Sequence, residues 1–141
     1  MICLDGILGV EKMEKKLMVV DDEQDILFSL RTLFESQGYQ VITVDCGAKC
    51  INELERGFRG IVLMDIMMPK MDGWDTIKKI VDRGLAKNIE IEIITGKGTR
   101  NHKKMIGLGS YIHDYLSKPL DPEKLISSVN MCLMCLHKRV S

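Results

Sequence analysis

Short apolar runs alternate along this chain with longer stretches in which apolar residues recur every three or four positions. The runs Leu17–Val20, Val41–Val44, Gly60–Asp65, Ile89–Thr95 and Tyr111–Leu116 have strand length, and that from Gly60 is rich in β-branched residues. Between them, Ile26, Leu27, Leu30, Leu33 and Phe34 form a helical stripe that stops near Gly38. A second helix is expected over Cys46–Arg56, with Cys50, Ile51 and Leu54 inward and Gly57 at its end. A third runs from Trp74 to Arg83 on Ile77, Ile80 and Val81, before Gly84. Asn101–Leu108 predicts a weaker helix, thin in apolar residues and basic at His102-Lys103-Lys104. The last helix is capped by Asp121, starts on Pro122 and buries Leu125, Val129, Cys132, Leu133 and Leu136. Five strands alternating with five helices over short connections specify a parallel sheet with right-handed crossovers, covered on both faces.

One stretch organises the rest. Gly60-Ile61-Val62-Leu63-Met64-Asp65 reads as a strand buried on both faces, and Pro69 and Asp72-Gly73 mark the loop that leaves it. A lone carboxylate, Asp65, therefore stands at the carboxyl end of a central strand, the edge at which open α/β sheets bind ligands. The other strands end in Asp21-Asp22, in Thr95-Gly96, and just before Lys118-Pro119. In a parallel sheet these ends point one way, so three carboxylates, a hydroxyl and an ammonium converge.

Each residue also has an ordinary explanation. Asp21-Asp22 suits a helix N-terminus, Asp65 a turn, Thr95 a strand, and Lys118 the surface. Independent caps, however, have no reason to occupy four strand ends of one sheet. The chemistry that suits the set is phosphoryl transfer to a carboxylate. Clustered carboxylates repel and are relieved by Mg²⁺, which takes one or two of them and binds phosphate. An Asp serves as nucleophile, cations and donors stabilise the equatorial oxygens, and Gly96 lets a phosphoryl group approach the backbone.

Composition narrows the rest. The 141 residues suit one domain with a substantial core; 45% are hydrophobic and 28% charged. Twenty basic residues balance twenty acidic ones, so charge gives no case for nucleic-acid binding or an anionic membrane. No apolar run approaches the ~20 residues of a membrane span, and the five cysteines have no disulfide-scaffold density, which fits a cytoplasmic location. Residues 1–15 are expected to be a poorly ordered extension, with the domain over 16–138.

Asp21-Asp22, Met64-Asp65-Ile66-Met67-Met68-Pro69 with Asp72-Gly73, Thr95-Gly96, and Tyr115-Leu116-Ser117-Lys118-Pro119 together resemble the receiver domains of two-component response regulators. The resemblance implies a flavodoxin-like sheet of order 2-1-3-4-5. It implies that Asp65 is the phosphoacceptor, served by a histidine kinase or phosphotransfer protein. Asp22, Asp65 and the Met67 carbonyl would hold Mg²⁺, with Asp21 acting through water. Lys118, Thr95 and Gly96 would bind the phosphoryl group, and Tyr115 would switch with Thr95. The readout would be a protein contact on the fourth helix, fifth strand and fifth helix, with the downstream target unknown and neither nucleic acid nor membrane bound directly. Since no output domain follows Ser141, a stand-alone receiver is expected. Many receivers carry Asp where Gly60 stands, a departure expected to matter little.

Two rival functions are weighed. A haloacid-dehalogenase-type hydrolase also uses an Asp nucleophile and Mg²⁺, but it needs a second Asp where this chain has Met67. A docking module without phosphorylation has no need of the intact set Asp21, Asp22, Asp65, Thr95 and Lys118. Zinc binding by Cys46, Cys50, Cys132 and Cys135 is set aside, because the second and fifth helices lie on opposite faces of such a sheet. His102, His113 and His137 lack ligand spacing and receive no role. Met67-Met68 is read as loop cover. Trp74 is expected to be partly exposed and to report on the site. Met131 and Met134 lie off the inward stripe of the last helix.

Overall fold

A computed structural model of the chain describes residues 14–96 and 102–140. Its strands are β1 (Lys16–Val20), β2 (Gln40–Val44), β3 (Gly60–Asp65), β4 (Ile89–Thr95) and β5 (Ile112–Ser117). Its helices are α1 (Gln24–Glu35), α2 (Gly47–Glu55), α3 (Gly73–Asp82), the short α4 (His102–Met105) and α5 (Pro122–Val140), with a 3₁₀ turn at Gly109–Tyr111. All strand pairs are parallel, in the order β2-β1-β3-β4-β5. The expected doubly wound architecture is what forms. Residues 1–13 of the expected extension, and Asn101 of the expected fourth helix, lie outside the described residues. Lys15, just before β1, accepts a bond from Gln40 N–H through its carbonyl (2.7 Å) and sets its ammonium over the Tyr39 ring.

Two apolar layers sandwich the sheet. Met18, Val20, Val62, Met64, Ile91 and Ile93 pack on one face against α2 and α3. Leu17, Val19, Ile61, Leu63 and Ile94 pack on the other against α1 and α5. Alternation on the inner strands thus feeds both layers, and each fully buried aliphatic side chain is worth about 1.5–3 kcal/mol. Cys50 belongs to the first layer and Cys132 to the second, so one ion cannot bridge them. Asp121 caps α5 as expected, its side chain accepting from Glu123 N–H (3.1 Å). Met131 and Met134 are exposed.

Two expectations are corrected. Trp74 is buried, not partly exposed, at 2% accessibility: as the second residue of α3 it packs against Tyr115, ring centroids 6.3 Å apart. Met67 and Met68 behave differently, since Met67 is 64% exposed while Met68 joins the core. Gly60 has a backbone role of its own. Its φ is +146°, and a Cβ there would run into the Lys16 carbonyl of neighbouring β1. Within the described residues, α4 is a single turn, and Gly107 (φ +79°) stops the helical path before Leu108.

Candidate functional site

The site is built from strand ends. Asp21 follows β1 and is held in line by its N–H donating to Val44 O (3.2 Å). Its carboxylate turns back to accept from Glu23 N–H (2.9 Å). Asp65 closes β3, and the next residue stays registered to β4 because Ile66 N–H donates to Ile94 O (3.2 Å). Lys118 follows β5 and is anchored by its N–H donating to the Thr95 carbonyl (2.9 Å). The parallel register thereby brings residues from nearly the whole sequence to one edge.

Gly73 explains the Asp-Gly pair in the loop beyond β3. The start of α3 approaches β3 so closely that a Cβ at Gly73 would lie 2.7 Å from the Asp65 carbonyl. Asp72 caps the same helix, accepting from Asp75 N–H (2.8 Å), and Lys104 of α4 bridges to Asp72 (2.7 Å). Within the loop, Met71 N–H donates to Pro69 O across Lys70, whose φ of 67° is unusual for a residue with a side chain.

Asp21, Asp22 and Asp65 each direct a carboxylate oxygen to a common point, these atoms lying within 4.8 Å of one another. Asp21 and Asp65 are buried, and Asp22 is exposed. Lys118 Nζ is 3.9 Å from both Asp21 Oδ2 and Asp65 Oδ1. That is well beyond a direct charged hydrogen bond of ~2.8 Å, so one ammonium serves two carboxylates through its field. Asp65 Oδ1 also accepts from Met67 N–H at 3.3 Å.

The electrostatics are uneven. Burial raises the Asp65 carboxyl to about 6, and the neighbouring Asp21 charge adds to the rise; Lys118 and the Met67 N–H oppose it. Burial also raises Asp21, against the Glu23 N–H and Lys118. Asp21 Oδ2 has no hydrogen-bond partner despite its burial. Three carboxylates with one lysine are under-compensated, which is the condition a hard divalent cation relieves.

Thr95 is buried at the end of β4, and Gly96 follows it in the chain. Tyr115 packs against Trp74 on the α2/α3 side of the sheet. Sequence reasoning missed a second group of ligand-type side chains, Glu92, His113 and Cys132, gathered in the middle of the sheet. Spacing gave no sign of it.

Architecture and edge chemistry place the molecule among doubly wound α/β domains whose ligand site lies beyond the carboxyl ends of the strands. The chain belongs to the family of response regulator receiver domains, whose model matches residues 17–130. It is 37% identical over 122 residues to the response regulator SaeR of Staphylococcus epidermidis, an alignment covering 86% of this chain and 52% of that protein. SaeR of Staphylococcus aureus is 35% identical over the same length. The chain thus spans about half the length of these curated relatives. Among solved structures, a response regulator receiver domain protein from Methanospirillum hungatei superposes with a TM-score of 0.83 at 41% identity, covering 87% of this chain and 97% of that one. No helix among the described residues is long and apolar enough to cross a membrane.

Proposed function

We propose that this receiver domain takes a phosphoryl group onto Asp65 from the phosphohistidine of a histidine kinase or phosphotransfer protein, with Mg²⁺. Phosphorylation then alters a protein-binding surface on α4, β5 and α5. The observation that carries the reading is the shared position of Lys118 Nζ, 3.9 Å from both Asp21 Oδ2 and Asp65 Oδ1, beside three converging carboxylates.

The donor set suits Mg²⁺: hard carboxylate oxygens, one of them buried without a partner. Asp22, Asp65 and the Met67 carbonyl would hold the ion, with Asp21 acting through water. Bound there, it neutralises the carboxylates and the charge on the transferring oxygens. The remaining chemistry belongs to the chain. A carboxyl raised to about 6 is still largely ionised at neutral pH, so an Asp65 oxygen is available to attack phosphorus. The P–O bond forms as the P–N bond to the donor imidazole breaks, and the imidazole takes a proton from solvent. Lys118 balances the charge gained, the Thr95 hydroxyl donates to a phosphoryl oxygen, and Gly96 offers backbone without a Cβ in the way.

Movement of Thr95 toward the phosphoryl group frees space that Tyr115 would fill, coupling the site to the β5 surface. Because Trp74 is packed against Tyr115, its fluorescence follows that rearrangement rather than solvent exposure at the site.

Acetyl phosphate with Mg²⁺ should add one phosphoryl mass to the intact protein, and Asp65→Asn should add none. Persistence of the adduct in Asp65→Asn, or its absence from the parent chain, overturns the assignment. Met67 is 64% exposed and has no group to orient an attacking water. The phosphoryl group should therefore be long-lived and lost several-fold faster in Met67→Asn, read as decay of the phosphorylated mass. An unchanged decay rate removes that role.

A further inference from the structure

Glu92 lies in the middle of β4 among isoleucines, and its side chain is 0% exposed. It faces α5: Ser128 Oγ donates to its Oε1 (2.9 Å), while Oε2 is buried without a hydrogen-bond partner. An ionised or polar group so placed needs compensation. The groups beside it are Cys132, one turn beyond Ser128 on α5, and His113 of β5, whose Nδ1 is 3.4 Å from Glu92 Oε1. That Nδ1 is also buried and without a hydrogen-bond partner.

The backbone is shaped to make this meeting. Ile91 of β4 pairs with Ile112, but Glu92 pairs with Asp114, so the ladder skips one residue of β5. Side chains alternate along a strand, and Tyr115 packs on the α2/α3 layer while Leu116 packs on the α1/α5 layer. Ile112 also packs on the α2/α3 layer, so alternation turns His113 toward α5, beside Glu92. The irregularity that follows returns Tyr115 and Leu116 to the layers of their partners Ile93 and Ile94 and leaves Asp114 exposed.

We propose that Glu92, His113 and Cys132 form a binding site for a borderline-soft divalent ion of the zinc type. One carboxylate oxygen, one imidazole nitrogen and one sulfur lie within 4.8 Å of one another. Thiolate, imidazole and carboxylate together select such an ion over Mg²⁺. Three protein ligands leave a fourth position for water, on the side of His113, which is 20% exposed. Binding forms one bond to each ligand and releases the thiol proton, with any proton held between the carboxylate and the imidazole. A carboxylate, a thiolate and a neutral imidazole around a divalent cation sum to zero charge, so the burial that isolates Glu92 becomes tolerable.

The site is separate from the strand-end carboxylates. Glu92 precedes Thr95 by three residues of β4, roughly 10 Å along the strand. Its ligands come from β4, β5 and α5, so the ion would fasten α5 to that edge of the sheet.

Co²⁺ is the probe, titrated into the full chain with Mg²⁺ in excess to occupy the strand-end carboxylates. One equivalent should produce visible tetrahedral bands and a near-ultraviolet thiolate-to-cobalt band, both displaced by Zn²⁺. Cys132→Ser should abolish the near-ultraviolet band, and His113→Gln should weaken binding by more than ~10-fold, since loss of even an outer partner costs that much. Cys135→Ser, altering an exposed thiol of the same helix, should change neither. Should Cys132→Ser not fold, as judged by circular dichroism, His113→Gln at its partly exposed bulge still decides. Absence of the bands, survival of the near-ultraviolet band in Cys132→Ser, or undiminished binding in His113→Gln overturns the proposal and leaves a metal-free cluster held by the Ser128–Glu92 hydrogen bond.

Discussion

Asp65 and Glu92 are carboxylates on adjacent strands of one sheet, exposed by 2% and 0%, yet their neighbours are opposite in kind. Around Asp65 stand two more carboxylates and a lysine 3.9 Å away. Around Glu92 stand a hydroxyl donor at 2.9 Å, an imidazole and a thiol. The first group is short of positive charge in the protein alone and stores the imbalance at an open edge. The second is closed beneath a helix and only half satisfied: Ser128 donates to one Glu92 oxygen, and the other has no hydrogen-bond partner. Burial alone therefore says little about what a carboxylate is for; the sign of its neighbours says more.

The sharpest way to break this comparison is Asp65→Asn. A carboxyl raised from 3.8 to about 6 binds its proton more tightly in the folded state. Its contribution to stability is full below pH ~4 and is lost as pH rises through about 6, leaving a deficit of up to about 3 kcal/mol at pH 7–8. In EDTA, Asp65→Asn should therefore be more stable than the parent at pH 7–8, and the two should converge near pH 4. Denaturant melts at both pH values measure this, and an equal gain at pH 4 would point to packing instead of charge. Millimolar Mg²⁺ should also shrink the gain.

Glu92→Ala should have the opposite sign. It removes the acceptor of Ser128 Oγ and opens a space in the α5 layer, at a cost of about 2 kcal/mol. If chemical denaturation finds it as stable as the parent, the donors around Glu92 are not satisfying it. The smallest effect is expected in the loop after β3. Lys70 sits at φ 67°, so Lys70→Gly should gain about 0.5–1 kcal/mol, visible as a small rise in Tm. No gain would mean that the Lys70 side chain offsets its backbone conformation.

The two sites were not equally legible in the sequence. The strand-end site needed only the position of each strand terminus, and runs such as Ile61-Val62-Leu63-Met64 fix a terminus to within a residue. Alternation and handedness gave a parallel doubly wound sheet, while the order β2-β1-β3-β4-β5 was legible only through the family resemblance. His113 was opaque because a skipped residue separates it from Tyr115-Leu116, so alternation counted back from the end of the strand assigns it to the wrong face. Trp74 was misjudged because closeness to Asp72-Gly73 suggested a loop-edge position. The close approach of Gly73 to the Asp65 carbonyl, a tertiary fact, draws the start of α3 inward and takes the indole with it. The fourth helix lacked a full apolar stripe, and Gly107 cuts short what remains.

Gly60 carries a consequence for what the position can accept. A residue with a side chain there must give up the φ of +146° and push the start of β1 aside, since the Lys16 carbonyl already holds the space. An aspartate introduced at this place would therefore need an accompanying shift of the first strand, which makes residue 60 a lock on how closely β1 and β3 can meet at their starts.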